Sequence, residues 1–134
     1  MDDARTDLVR HPAEGEVERW DDATRGLVTF RTKFSADATP TRRLTTGVGE
    51  LPVGGRLARH RHEPEETYYV LEGTGTVTVD GAEYAVAAGS SVFFPSQVEH
   101  GITNTGQSPL RFFYAFAADA ISEVSYLFSG APGS

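Results

Sequence analysis

The chain has 134 residues, no cysteine and a formal net charge of −7. That length fits one domain with a single core, the acidic balance argues against nucleic acid and anionic membranes as partners, and the lack of thiols excludes disulfides and cysteine nucleophiles. No apolar run approaches the ~20 residues of a spanning helix, and Met1-Asp2-Asp3-Ala4-Arg5 lacks the basic-then-apolar layout of a secretion signal, so the expected compartment is the cytoplasm.

Residues 1–25 are charged, with Trp20 as their main apolar anchor, and read as an arm or short helix lying over the domain. From Leu27 onward short apolar runs alternate with Gly, Pro and Asp punctuation. Strands are expected near 27–34, 43–51, 56–62, 66–72, 75–80, 83–87, 91–95, 99–104, 109–117 and 122–128. A helical turn is expected only at 118–122. In the first of these strands Val28, Phe30 and Phe34 share a face. That places Lys33, the one lysine, on the polar face and weighs against imine chemistry. Asp80-Gly81, between two alternating runs, is a two-residue hairpin signal, because a type I′ turn needs positive φ at both central positions. The division is therefore an arm over 1–25, a β domain over 26–128 and a disordered tail over 129–134. Many short strands with regular turns imply an all-β, double-sheet jelly-roll barrel.

Three of the four histidines stand at metal-ligand spacing. Alternate residues of a strand point to one face, so His60 and His62 share a face, and Glu66 keeps their parity if pairing resumes beyond Pro64. A bulge at Pro64 would swap the faces of Glu63, Glu65 and Tyr68. His100 comes from a distant strand. Three imidazoles and a carboxylate suit one divalent transition metal with open positions for substrate, and Mn, Fe, Ni, Zn and Cu all accept such a set. His11 lies in the polar arm and reads as a surface residue, while Glu63, Glu65, Arg59 and Arg61 have the outward parity. Arg43 and Arg111 remain as candidates for clamping an anionic substrate.

Parity also selects the surroundings of the metal. Tyr68 and Val70 continue the face of Glu66, and Val98, Ile102 and Asn104 continue that of His100. Leu110, Phe112, Tyr114 and Phe116 share a face assigned inward. The resulting pocket is apolar and aromatic, with Ile102, Phe112, Tyr114 and Phe116 in its wall, and takes a small-molecule substrate. Tyr68, two residues beyond Glu66, is a candidate base.

The segment from Gly54 through His60-x-His62, Glu66 and Gly73 resembles the first motif of the cupin family. Gly89, Pro95, Gln97, His100 and Asn104 resemble the second, with Gln97 where that family usually has Gly. Gln97 therefore implies a different local turn and a polar group near the pocket mouth. The resemblance covers roughly residues 43–128 and implies the double-stranded β-helix barrel. Within the cupins, His60-x-His62-x-Pro64-x-Glu66-x-Tyr68 and the end segments 110–116 and 122–128 are similar to small dimethylsulfoniopropionate lyases. That likeness implies a catalytic pair, Tyr68 as base and Tyr126 as a second pocket tyrosine. It further implies a metal-bound carboxylate, α-proton removal by Tyr68 and loss of the β-substituent, with Tyr114 and Tyr126 facing a sulfonium cation.

Three readings stay open at this point. A lyase or isomerase works without oxygen and needs Tyr68. An iron dioxygenase needs Fe and O₂ and tolerates Tyr68→Phe. A non-catalytic binding cupin is stabilised by its ligand without turnover. Open jelly-roll edges and the N-terminal arm imply a homodimer.

Overall fold

The computed structural model describes residues 8–130. Its strands are β1 (Glu16–Asp22), β2 (Gly26–Phe34), β3 (Thr45–Leu51), β4 (Arg56–Arg61), β5 (Glu66–Glu72), β6 (Thr74–Val79), β7 (Ala82–Ala87), β8 (Ser91–Phe94), β9 (His100–Asn104), β10 (Leu110–Phe116) and β11 (Leu127–Phe128). All pairings are antiparallel. The path β7-β6-β9-β4-β2-β3-β10-β5-β8 curls into a barrel, with β1 added to β2 and β11 to β4. The all-β jelly-roll architecture read from the sequence is the one observed. Among the described residues no helix is long and apolar enough to cross a membrane.

The two-residue period explains which faces enclose the core. On β10, Leu110, Phe112, Tyr114 and Phe116 are buried while Phe113 faces out. Two glycines of β3 make room for the rings opposite. A Cβ on Gly49 would lie 2.4 Å from Phe112 Cζ, and one on Gly47 would lie 2.4 Å from the Tyr114 hydroxyl. These rings therefore lie against bare backbone, a close approach that only glycine permits in a strand. The hairpin β6–β7 turns through Asp80 (φ 51°) and Gly81 (φ 83°), with Val79 facing Ala82, as the Asp-Gly signal requires.

Three local expectations change. Residues 16–22 form a strand along β2, with neither a helix nor a loose arm there. The approach to that strand is tied down by Lys33, whose Nζ donates to the carbonyls of His11, Pro12 and Glu14. Across 122–128 only Leu127 and Phe128 pair with a neighbour, and Ile121–Glu123 form a 3-10 turn. Gln97 keeps the turn that a glycine would make: its φ is +65° and its N–H donates to the His62 carbonyl at 2.8 Å. Its side chain is exposed and adds nothing to the cavity wall. Of the tail expected over 129–134, Ser129 is ordered, its N–H donating to the Arg59 carbonyl at 2.9 Å, and 131–134 lie outside the described residues, as do residues 1–7.

Candidate metal centre

His60 ends the inward run of β4, and His100 opens β9 directly across from it. His62 follows β4, and Glu66 opens β5. Alternation of buried and exposed residues runs unbroken from Arg59 to Val70, so Pro64 introduces no change of face. His60, His62, Glu66 and His100 are buried, while Glu63 and Glu65 are exposed. The inward set is thus fixed by strand geometry through a segment that is not itself a paired strand.

Each imidazole is oriented by its own stretch of backbone. The Nδ1–H of His60 donates to the Ala58 carbonyl at 2.7 Å, that of His62 to Pro64 at 3.0 Å and that of His100 to Val98 at 3.0 Å. With Nδ1 committed as a donor, Nε2 of each ring carries the lone pair. One ring nitrogen from each of the three histidines lies within 4.8 Å of the other two. Glu66 Oε1 stands 3.1 Å from His62 Nε2 and 3.2 Å from His100 Nε2. A carboxylate oxygen and two unprotonated nitrogens are all acceptors, so their convergence is favourable only around a cation or an added proton. At His60 burial disfavours the protonated form and pushes its pKa down to about 3, helped by the charge of His100 and opposed by the Ala58 carbonyl. Buried imidazoles whose Nδ1 is fixed by a backbone carbonyl, converging with a carboxylate, are the donor set a divalent transition metal takes. Phe94 stacks on His100 at 4.0 Å between ring centres, and Phe116 packs edge-on to His62 at 5.1 Å, which holds both rings in place.

A cavity opens beside this cluster. His60, Glu66, Tyr68, Thr32, Tyr114, Phe116 and Trp20 line it as buried residues, and the less buried Glu18, Ile121 and Tyr126 complete the lining on its solvent side. The enclosed space is narrow, with room for about one water molecule.

Tyr68 is 2% exposed, with its ring against Phe112 and Phe94 at 4.4 and 4.7 Å. Burial raises its hydroxyl well above the ordinary phenol range, and the charge of Glu66 adds to that. Tyr126 sits 5.5 Å from the rings of both His60 and His62 and is likewise raised by burial first. Tyr114 shares a 2.7 Å hydrogen bond with Thr32 Oγ1. The structure thus brings Tyr68, Tyr126, Tyr114 and Phe116 to the cavity. Phe112 and Ile102 are core residues behind the wall, and Asn104 holds the carbonyls of Leu51, Pro52 and Ser108. Arg111 pairs with Glu72 at 3.0 Å and Glu50 at 3.6 Å on the outer surface, and the Arg43 backbone binds Asp119 there, so neither lines the cavity. Sequence reasoning missed Glu18, Trp20, Phe30, Thr32, Leu57 and Ile121 as lining residues. Parity with Trp20 was the available signal for Glu18, once residues 16–22 are read as a strand.

Known proteins share much of this arrangement. The model of the cupin domain family matches residues 47–116. The dimethylsulfoniopropionate lyase DddW of Ruegeria pomeroyi is 38% identical over 108 residues, covering 81% of this chain and 70% of that protein. Among solved structures, a predicted oxalate decarboxylase of Thermotoga maritima superposes with a TM-score of 0.73 at 29% identity, covering 83% of this chain and 99% of that one. The polyketide cyclase RemF of Streptomyces resistomycificus reaches a TM-score of 0.74 over 90% of this chain and 84% of its own, but at 20% identity it shares the fold alone.

Proposed function

This chain belongs to the cupin domain family, and from that premise we propose a metal-dependent lyase that removes an α-proton from a small carboxylate and expels its β-substituent. The observation that carries the proposal is Tyr68, buried in the wall of the same cavity as His60 and Glu66. The similarity to a dimethylsulfoniopropionate lyase supports that substrate class.

His60, His62, His100 and Glu66 would hold the metal. When bound, it supplies a Lewis acid that acidifies the carbon next to the substrate carboxylate and a positive charge that favours phenolate. Without that charge, burial and Glu66 keep Tyr68 protonated, so activity is expected to track metal loading. Tyr68 as phenolate accepts the α-proton at its oxygen. The C–H electron pair becomes the new C=C bond, and the β-substituent departs with its bonding pair. From dimethylsulfoniopropionate the products are dimethyl sulfide and acrylate, and the proton returns from Tyr68 to water. Phe116 and Leu57 keep the wall apolar, which excludes water from the reacting carbon. Tyr114, fixed by Thr32, and Tyr126 present aromatic surface to the substrate.

The test is anaerobic headspace dimethyl sulfide from dimethylsulfoniopropionate, with Mn- or Fe-loaded protein beside Tyr68→Phe. Release by the wild type but not by a fully metallated Tyr68→Phe is the expected result. Equal release by both overturns the role of Tyr68, and none from loaded wild type overturns the reaction. A homodimer is part of the same reading, supported by the exposed Tyr69, Phe93 and Phe113 on the outer face of β5, β8 and β10. Light scattering at working concentration checks it.

A further inference from the structure

The strand β1 sends two side chains into the cavity lining, Glu18 and Trp20, which share a face because they stand two apart. Trp20 is 6% exposed and held edge-on by Phe30, Tyr126 and Phe128 at 5.1, 5.2 and 5.6 Å. Its indole N–H donates to Glu18 Oε2 at 2.9 Å, which pins a carboxylate over the opening. Arg19 pairs with Asp21, and Arg25 pairs with Asp22 while lying 5.0 Å over the Trp20 ring. The negative charge of Glu18 is felt at the hydroxyls of both Tyr114 and Tyr126, so its field enters the cavity.

The cavity therefore brings together two unlike groups. The three imidazoles and Glu66 form one, suited to a metal and hence to a ligand carboxylate. The Glu18 carboxylate with aromatic surface from Trp20 forms the other, and Tyr126 lies between them, 5.2 Å from Trp20 and 5.5 Å from His60. We propose that Glu18 is a specificity-determining residue that selects ligands bearing a permanent cation, an onium group, at the end opposite their carboxylate. The inference rests on the functional reading above for the metal group. The aromatic rings match a soft cation without N–H donors, through cation–π attraction. The Glu18 charge adds a term that distinguishes a cation from a neutral group of the same shape. A group of this kind on a separate strand lets charge selection vary independently of the metal ligands.

The experiment compares two carboxylates of equal shape, trimethylammonium propionate and the isostere with a quaternary carbon in place of nitrogen. Each is titrated calorimetrically into the Zn-loaded full chain. Wild type is expected to bind the cationic ligand roughly tenfold more tightly. Glu18→Gln keeps an acceptor for the Trp20 N–H, and is expected to reduce the preference to about twofold or less while leaving the isostere's affinity and the metal content unchanged. Equal binding of the two ligands by wild type overturns the proposal, as does a full preference in Glu18→Gln. The outcome separates from that of the lyase assay. A Glu18-dependent preference without dimethyl sulfide release sinks the reaction alone, and release without the preference sinks the cation selection alone.

Discussion

The metal end of the cavity and the rest of its lining are built by different means. At the metal end, His60, His62, Glu66 and Tyr68 come from one alternating stretch, and His100 faces His60 across a strand pair. In the remaining lining, β1 supplies Glu18 and Trp20, and the 3-10 turn and its continuation supply Ile121 and Tyr126. The first region gets its geometry from sheet register, where one residue of slip would turn every ligand outward. The second joins a strand registered on β2 to a 3-10 turn and its continuation, and the two segments, far apart in sequence, meet through side-chain contacts of Trp20 with Tyr126 and Phe128.

That contrast yields measurable differences. His62→Ala removes a donor outright, so its loss of Zn affinity should exceed the roughly 10–100-fold that follows loss of a mere supporting partner. Competition with a chromogenic chelator reads this directly, and retained affinity would remove His62 from the donor set. Trp20→Ala should lower unfolding stability by about 3–5 kcal/mol, the usual cost of emptying a buried aromatic site. Zn affinity should change by no more than about twofold if the two ends are independent. Paired urea melts and chelator titrations check both halves, and a large loss of Zn affinity would merge the two regions into one.

Acid should act first on the metal end. His60 titrates at about 3 in the folded chain against 6.5 without the fold, so the folded state binds fewer protons between those values. Its contribution to stability is complete above pH 6.5 and disappears as pH falls toward 3. Metal-free protein should therefore show a falling Tm through that window. Bound Zn should hold the plateau to lower pH, because protons must then displace the metal. A flat Tm in the metal-free form would contradict the buried neutral state of His60. The smallest effect is expected at Gln97→Gly. Relief of a left-handed conformation worth about 1–2 kcal/mol is partly offset by the greater freedom of unfolded glycine, about 0.5–1 kcal/mol. Denaturant midpoints should rise slightly, and a fall would mean that the exposed Gln97 side chain contributes contacts of its own.

How much was readable in advance follows the same division. The faces of His60 through Val70 and of Leu110 through Phe116 follow from a period of two, which survives even the break at Pro64. The strand at 16–22 escaped because Trp20 is its only buried residue. Its other apolar residue, Val17, has the opposite parity and is exposed, so the two set no period and neither the strand nor Glu18 could be assigned to the site. Residues 122–128 misled in the opposite way. Val124, Tyr126 and Phe128 alternate as a strand would, and they do reach the core, yet only Leu127 and Phe128 find a pairing partner. Phe112 and Ile102 have the inward parity of wall residues, but parity gives a direction and not a depth. Gly49 opposite Phe112 lets that ring sink below the cavity surface.

The orienting contacts of the three imidazoles have an evolutionary side. Each Nδ1–H is received by a main-chain carbonyl two positions away in sequence, at Ala58, Pro64 or Val98. Where a carboxylate side chain steers a ligand histidine, one codon change can abolish the support. Here no side-chain replacement deletes the acceptor, because every amino acid carries it. Selection is then free to rewrite the walls and the opening around an unchanged donor set, which is one physical route by which a single scaffold accumulates unrelated activities.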